Sequence, residues 1–137
     1  MRRMCKLVMI DDNPLEHLIM KKIFARHHLF NEAVHSLDSK LIIDFLSEKC
    51  HETLLLPDLI FLDLDMPVFS GWDFLERFAT LLPCLTKHIT VYIISSSVDQ
   101  NDILRARDFS FVKEFISKPV DIEKLEEIHL FHKRLSA

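Results

Sequence analysis

Short runs of consecutive apolar residues alternate along the chain with segments in which apolar residues recur every three or four positions. Residues 5–10 form the first run, which stops at Asp11-Asp12 and reads as a buried strand. Asn13-Pro14 then starts a helix, with Asn as the capping residue and Pro in the first turn. Leu15, Leu18, Ile19 and Ile23 recur at helical spacing as far as about His27. Residues 33–37 predict a weak second strand, and Asp38-Ser39 opens a helix with Leu41, Ile42, Phe45 and Leu46 on one face. Pro57-Asp58 precedes the wholly apolar Leu59-Ile60-Phe61-Leu62, which again ends on an acid, Asp63. Ser70-Gly71 leads into a third helix carrying Trp72, Phe74, Leu75 and Phe78. Residues 89–94 predict a fourth strand, followed by Ser95-Ser96-Ser97, and residues 99–108 a short helix. Phe115-Ile116 centres a fifth strand ending at Ser117-Lys118-Pro119, and Asp121 caps a last helix that runs nearly to Ala137.

Five repeats of strand then helix predict an α/β fold. Strands that are apolar at every position are covered on both faces, so the sheet is expected to be parallel with helices on both sides. The 137 residues suit one domain, and no linker or low-complexity tract divides them. Seventeen Lys and Arg against 21 Asp and Glu leave a net charge of −4, which excludes nucleic-acid binding driven by bulk charge. A single Gly excludes glycine-rich phosphate loops and dinucleotide fingerprints. Cys5, Cys50 and Cys84 are odd in number and form no C-x-x-C, so they are expected to be small apolar fillers rather than a disulfide framework or zinc knuckle. Met1-Arg2-Arg3 resembles the start of a signal peptide, but Leu7-Val8-Met9-Ile10 is too short an apolar core for one, and no stretch is long enough to cross a membrane. A reduced, cytoplasmic protein is expected.

In an open parallel sheet, ligands bind beyond the carboxyl ends of the strands. Strand one delivers Asp11 and Asp12 to that edge, strand three Asp63 with Asp65 just after, strand four Ser95, and strand five Lys118. Taken singly, each reads as an ordinary turn or cap residue. Together they place several carboxylates, a hydroxyl and an ammonium on one rim. Carboxylates so gathered repel unless a cation lies among them. Oxygen donors without His or Cys suit a hard ion, and an open site suits Mg2+.

Asp11-Asp12, the run Asp63-Leu64-Asp65-Met66-Pro67 with Gly71 four residues on, Ser95, and Lys118-Pro119 stand in the order and spacing of a response-regulator receiver domain. The chain resembles that family over about residues 6–135. The resemblance implies a flavodoxin- and CheY-like doubly wound sheet in the order 2-1-3-4-5 and a single receiver domain over residues 1–137, with no output domain. It implies that Asp63 accepts a phosphoryl group from a sensor histidine kinase or histidine phosphotransfer protein. Asp12, Asp63 and the backbone carbonyl of Asp65 would hold Mg2+, with Asp11 acting through water. Lys118 would offset charge on the phosphoryl oxygens, and Ser95 would donate a hydrogen bond to them. Phe115 stands at the aromatic switch position, where a Tyr is common and the hydroxyl is here missing. Glycines usual after strand two and before strand five are replaced within residues 36–39 and 110–113.

Such a protein signals by docking on a downstream protein and is no enzyme beyond its own phosphorylation and dephosphorylation. The face formed by helix four, strand five and helix five would carry that docking, including self-association into a homodimer. On the last helix, Leu125, His129 and His132 are expected to face the sheet. Ile128, Phe131 and Leu135 form a second stripe, either the flank of the core or, at Ile128 and Phe131, a partly exposed output surface. Glu126, His129 and His132 share the spacing of metal ligands but read better as core or rim groups, and His27-His28 suits the negative end of its helix. Two alternatives stand beside the switch. One is a phosphate-independent module on the same fold. The other is a phosphatase resembling the haloacid-dehalogenase family through Asp63-Leu64-Asp65, although that motif belongs on a first strand.

Overall fold

The computed structural model describes residues 5–97 and 99–136; the Met1-Arg2-Arg3 start and the Ala137 end lie outside the described residues. The elements are β1 (Leu7–Ile10), α1 (Pro14–His27), β2 (Val34–Ser36), α2 (Ser39–Glu48), β3 (Leu59–Leu62), α3 (Gly71–Leu81), β4 (Thr90–Ser95), α4 (Gln100–Ala106), β5 (Val112–Ser117) and α5 (Ile122–Ser136). A 3-10 turn at Thr53–Leu55, which the pattern did not show, precedes β3. All strand pairings are parallel, in the order β2-β1-β3-β4-β5.

Alternation along the strands divides the core into two layers. Ile60, Leu62, Val91 and Ile93 pack against α2 and α3 through Ile43, Leu46, Phe74 and Phe78. Leu59, Phe61, Tyr92 and Ile94 pack on the other face against α1 and α5 through Met20, Phe24, Leu125 and Ile128. Both β3 and β4 are buried at every position, as central strands covered on both faces must be.

The helix starts follow local chemistry. Asn13 accepts the Leu15 N–H, Asp38 those of Lys40 and Leu41, and Ser70 forms a reciprocal capping box with Asp73. The helix faces depart from expectation. α1 buries His17, Met20 and Phe24, while Leu15, Leu18 and Ile19 are exposed. Apolar residues surround this helix, and the stripe that meets the sheet includes a histidine because both its ring nitrogens find partners. In α2 the buried set is Ser39, Ile42, Ile43 and Leu46, which leaves Leu41 and Phe45 outside.

With one glycine in the chain, the left-handed backbone positions among the described residues fall to His28 (φ 56°), Phe30 (φ 45°) and Val68 (φ 69°). Gly71 serves a different need. A Cβ there would lie 2.6 Å from the Asp63 carbonyl oxygen and 2.7 Å from the Leu64 Cα. The bare α-carbon lets the start of α3 press against the loop leaving β3, where the Gly71 N–H donates to the Leu64 carbonyl (3.2 Å).

Candidate functional site

β1 and β3 are neighbours, with Ile10 opposite Leu62, so Asp11 and Asp63 leave the sheet side by side. The ladder continues one step past the strands. Asp63 N–H donates to the Ile10 carbonyl (3.0 Å) and Asp11 N–H to that of Ser36 (3.1 Å). Both carboxylates are buried, while Asp12 is exposed at the rim. Oxygens of Asp11, Asp12 and Asp63 all lie within 4.8 Å of one another. Lys118, positioned after β5 by its N–H bond to the Ser95 carbonyl (2.8 Å), reaches across this end of the sheet. Its Nζ donates to Asp11 Oδ2 at 2.8 Å and stands 3.7 Å from Asp63 Oδ1.

The electrostatics follow from that crowding. Burial, reinforced by the Asp11 charge, pushes the Asp63 carboxyl up to about 6; Lys118 and the Asp65 main-chain N–H pull the other way and do not prevail. Burial pulls on Lys118 in the opposite sense, but its bond to Asp11 and the charges of Asp63 and Asp11 outweigh it and hold the ammonium above its ordinary value. Three carboxylates against one ammonium leave an unbalanced negative site. The donors are all oxygens, close enough to share one small ion, and this set fits Mg2+.

Other residues named from the sequence take distinct places. Asp65 is exposed on the loop after β3, and it touches Asp63 through its main chain. Ser95 ends β4 fully buried, its Oγ accepting the Ser97 N–H at 3.1 Å. A cavity of about 310 Å3 is lined by Asp11, Asp63, Lys118 and Ser96, so it is the residue after Ser95 that borders it. Phe115 is half-buried on β5, opposite Ile93 and against the α2–α3 layer of the core.

Two supporting residues went unnoticed in the sequence. Asn13, read only as a helix cap, also donates its N–H to Asp11 Oδ1 (2.9 Å). His17 lies 2.7 Å through Nε2 from the Asp11 carbonyl, which can only accept, so this nitrogen carries the proton. Its Nδ1 is 2.7 Å from His35 Nδ1, and burial followed by the neighbouring His17 pushes His35 down to about 4. A D-D-N-P start signals the first residue; nothing local signals the second.

A family profile described as response regulator receiver domain matches residues 7–129. The chain belongs to the response regulator receiver domain family. It is 30% identical over 118 residues to protein-glutamate methylesterase/protein-glutamine glutaminase 3 of Burkholderia thailandensis, a match covering 85% of this chain and 29% of that protein. The chain thus spans under a third of the length of that curated relative. Among solved structures, a two-component response regulator from Cytophaga hutchinsonii superposes with a TM-score of 0.82 at 22% identity, covering 97% of this chain and 99% of that one. A response regulator receiver protein from Dyadobacter fermentans superposes with a TM-score of 0.77 at 25% identity, covering 93% and 97%. The receiver fold is the flavodoxin-like one that the resemblance implied, and receiver domains are the phosphoacceptor modules of two-component signalling.

On the receiver's last helix the expectation is corrected in part. Leu125, Ile128 and His132 are buried, and His129 is half-buried. Ile128 is therefore core and is removed from any output surface. Phe131 is 41% exposed and Leu135 64%, so the second stripe divides at the helix's outer turn. Lys113 Nζ stands 3.1 Å from the Phe131 ring centroid, reaching it from β5 where the pairing with β4 is irregular. The two histidines satisfy core polar groups. His129 Nδ1 accepts the Phe30 N–H (3.2 Å), and His132 Nε2 meets the Tyr92 hydroxyl at 2.9 Å. Among the described residues no helix is long and apolar enough to cross a membrane. The phosphatase reading fails within this family, since Asp63-Leu64-Asp65 follows the third strand.

Proposed function

We propose that this receiver accepts a phosphoryl group on Asp63 from the phosphohistidine of a sensor kinase or phosphotransfer protein. The observation that carries the reading is the Asp63 carboxylate, buried at the end of β3, within 4.8 Å of Asp11 and Asp12 oxygens and 3.7 Å from the Lys118 ammonium. A carboxylate oxygen of Asp63 attacks phosphorus, an acyl-phosphate P–O bond forms, and the P–N bond to the donor imidazole breaks as that ring takes up a proton. Asp12, Asp63 and the Asp65 carbonyl would hold Mg2+, with Asp11 acting through water; when bound, the ion supplies positive charge beside the transferring oxygens. Lys118 supplies the second positive charge. It is held by Asp11 in the present state and is long enough to shift toward an oxygen on Asp63. Such a shift favours the phosphorylated state only because the new contact differs between the two states.

Ser95 Oγ accepts the Ser97 N–H and keeps its own O–H free to donate to the phosphoryl group, which draws the β4–α4 loop inward. Phe115 follows by changing rotamer, and without a hydroxyl it acts by packing alone. Exposed Leu15, Leu18 and Ile19 on α1, close to the acidic end, offer an apolar surface for the phosphodonor protein. Phe131 and its Lys113 partner lie on the face made by α4, β5 and α5, where docking of a downstream protein or a second copy would read the change.

The test is incubation with Mg2+ and acetyl phosphate followed by intact mass. Wild type should gain one phosphoryl group in a Mg2+-dependent manner, and Asp63→Asn should gain none. Labelling of Asp63→Asn at the wild-type level overturns the assignment.

A further inference from the structure

The opposite end of the sheet carries a second cluster of donor atoms. Cys50 and His51 follow α2, and Cys84 lies in the turn between α3 and β4. The two sulfurs and a His51 ring nitrogen all lie within 4.8 Å of one another. Cys50 is buried, while Cys84 and His51 are open to solvent. The sequence offered no metal-binding spacing here, because the ligands come from two segments brought together by the packing of α2 on α3.

Independent bonds hold those two segments in place. The Thr86 N–H donates to the Cys50 carbonyl at 3.0 Å, and the Thr53 and Thr86 hydroxyls are 2.7 Å apart. The Cys84 N–H is fixed on the Leu81 carbonyl at 2.8 Å. In a tetrahedral zinc site, bond lengths of about 2.3 Å to sulfur and 2.0–2.1 Å to nitrogen place ligand atoms a little under about 4 Å apart. The observed cluster, within 4.8 Å, stands close to that spacing. Two thiolates and an imidazole suit a thiophilic ion and do not suit Mg2+. The nearest acidic side chains in sequence, Glu48 and Glu52, pair with Lys49.

We propose that Cys50, His51 and Cys84 bind one thiophilic divalent cation of the Zn2+ class, with water completing a tetrahedron. The site is separate from the acidic cluster around Asp63, which lies past the other end of β3. An ion there ties the end of α2 to the α3–β4 turn and stabilises the fold by mass action. Both thiols must lose protons on binding, so affinity climbs with pH.

The test uses reduced, chelator-stripped protein with excess Mg2+ present, titrated with Co2+ and then back-titrated with Zn2+. Wild type should bind one equivalent, with a thiolate-to-cobalt band in the near ultraviolet and intense visible bands of tetrahedral cobalt, both lost as Zn2+ displaces it. Cys84→Ser and His51→Ala alter solvent-exposed side chains and so keep the fold; each should weaken binding by more than about 100-fold, beyond what loss of an outer-shell partner costs. Asp12→Ala should bind as wild type does. The proposal is overturned if wild type shows no thiolate band or if Cys84→Ser binds as tightly as wild type. It is overturned equally if the reduced protein takes up no ion and the two cysteines merely oxidise to a disulfide.

Discussion

Asp63→Asn should make the metal-free protein more stable while abolishing phosphorylation. In the free receiver, Asp63 titrates at about 6 instead of 3.8, chiefly because it is buried and secondly because Asp11 is beside it. Between those two pH values the folded protein holds a proton that the unfolded chain has released. Wild type therefore loses stability as pH rises through this window, and the loss is complete above about 6. A shift of about two units at ~1.4 kcal/mol each gives an upper figure of about 3 kcal/mol at pH 7.5. An amide keeps the acceptor for the Asp65 N–H and removes the charge, so a gain of about 1–3 kcal/mol is expected, or a rise of about 5–10 °C in Tm. The assay is urea unfolding of both proteins in chelator at pH 7.5 and at steps down to pH 4, repeated in Mg2+. The advantage of the variant should shrink as pH falls below about 6 and should narrow in Mg2+, which stabilises wild type more because Asp63 is one of its ligands. The reasoning fails if the variant is no more stable than wild type at pH 7.5 without metal, or if the gap is the same at pH 4.

His132 works in the opposite sense. Burial pushes it down to about 4, so the unfolded chain takes up the proton first and wild type loses stability as pH falls from 6.5 toward 4, at about 1.4 kcal/mol per pH unit. His132→Gln should lower that slope by about one proton in urea unfolding across the window, and an unchanged slope counts against it. Gly71→Ala would drive a methyl into the Asp63 carbonyl and the Leu64 backbone, at a cost of about 1–3 kcal/mol with slower acetyl phosphate labelling; wild-type values for both would refute the close approach. Val68→Asn should raise stability by about 1 kcal/mol in a thermal melt, because Val68 is fully exposed at φ 69° and Asn tolerates that conformation better. A fall in Tm would contradict it.

The acidic rim was legible because its grammar is local. A run of apolar residues ends where the strand leaves the core, and the next residue lies at the edge where ligands bind. Asp11, Asp63 and Ser95 each follow such a run directly, and Lys118 follows the short Phe115-Ile116 pair by two residues, so their meeting needed only the parallel sheet that the runs themselves imply. The same patterning could not say which side of α1 or α5 meets that sheet. Apolar residues surround both helices, and rotating the contact stripe by one position exchanges Ile19 for Met20, or His129 for Ile128. The choice was made by groups outside each helix: His35 and the Asp11 carbonyl accommodate His17, and the Tyr92 hydroxyl accommodates His132. The pairing of Cys50 with Cys84 arises in the same way, since it exists only after α2 has packed on α3. Periodicity along one chain reports which residues prefer burial. Which of them are buried, and beside whom, depends on contacts that form only when the sheet and its two layers of helices close together.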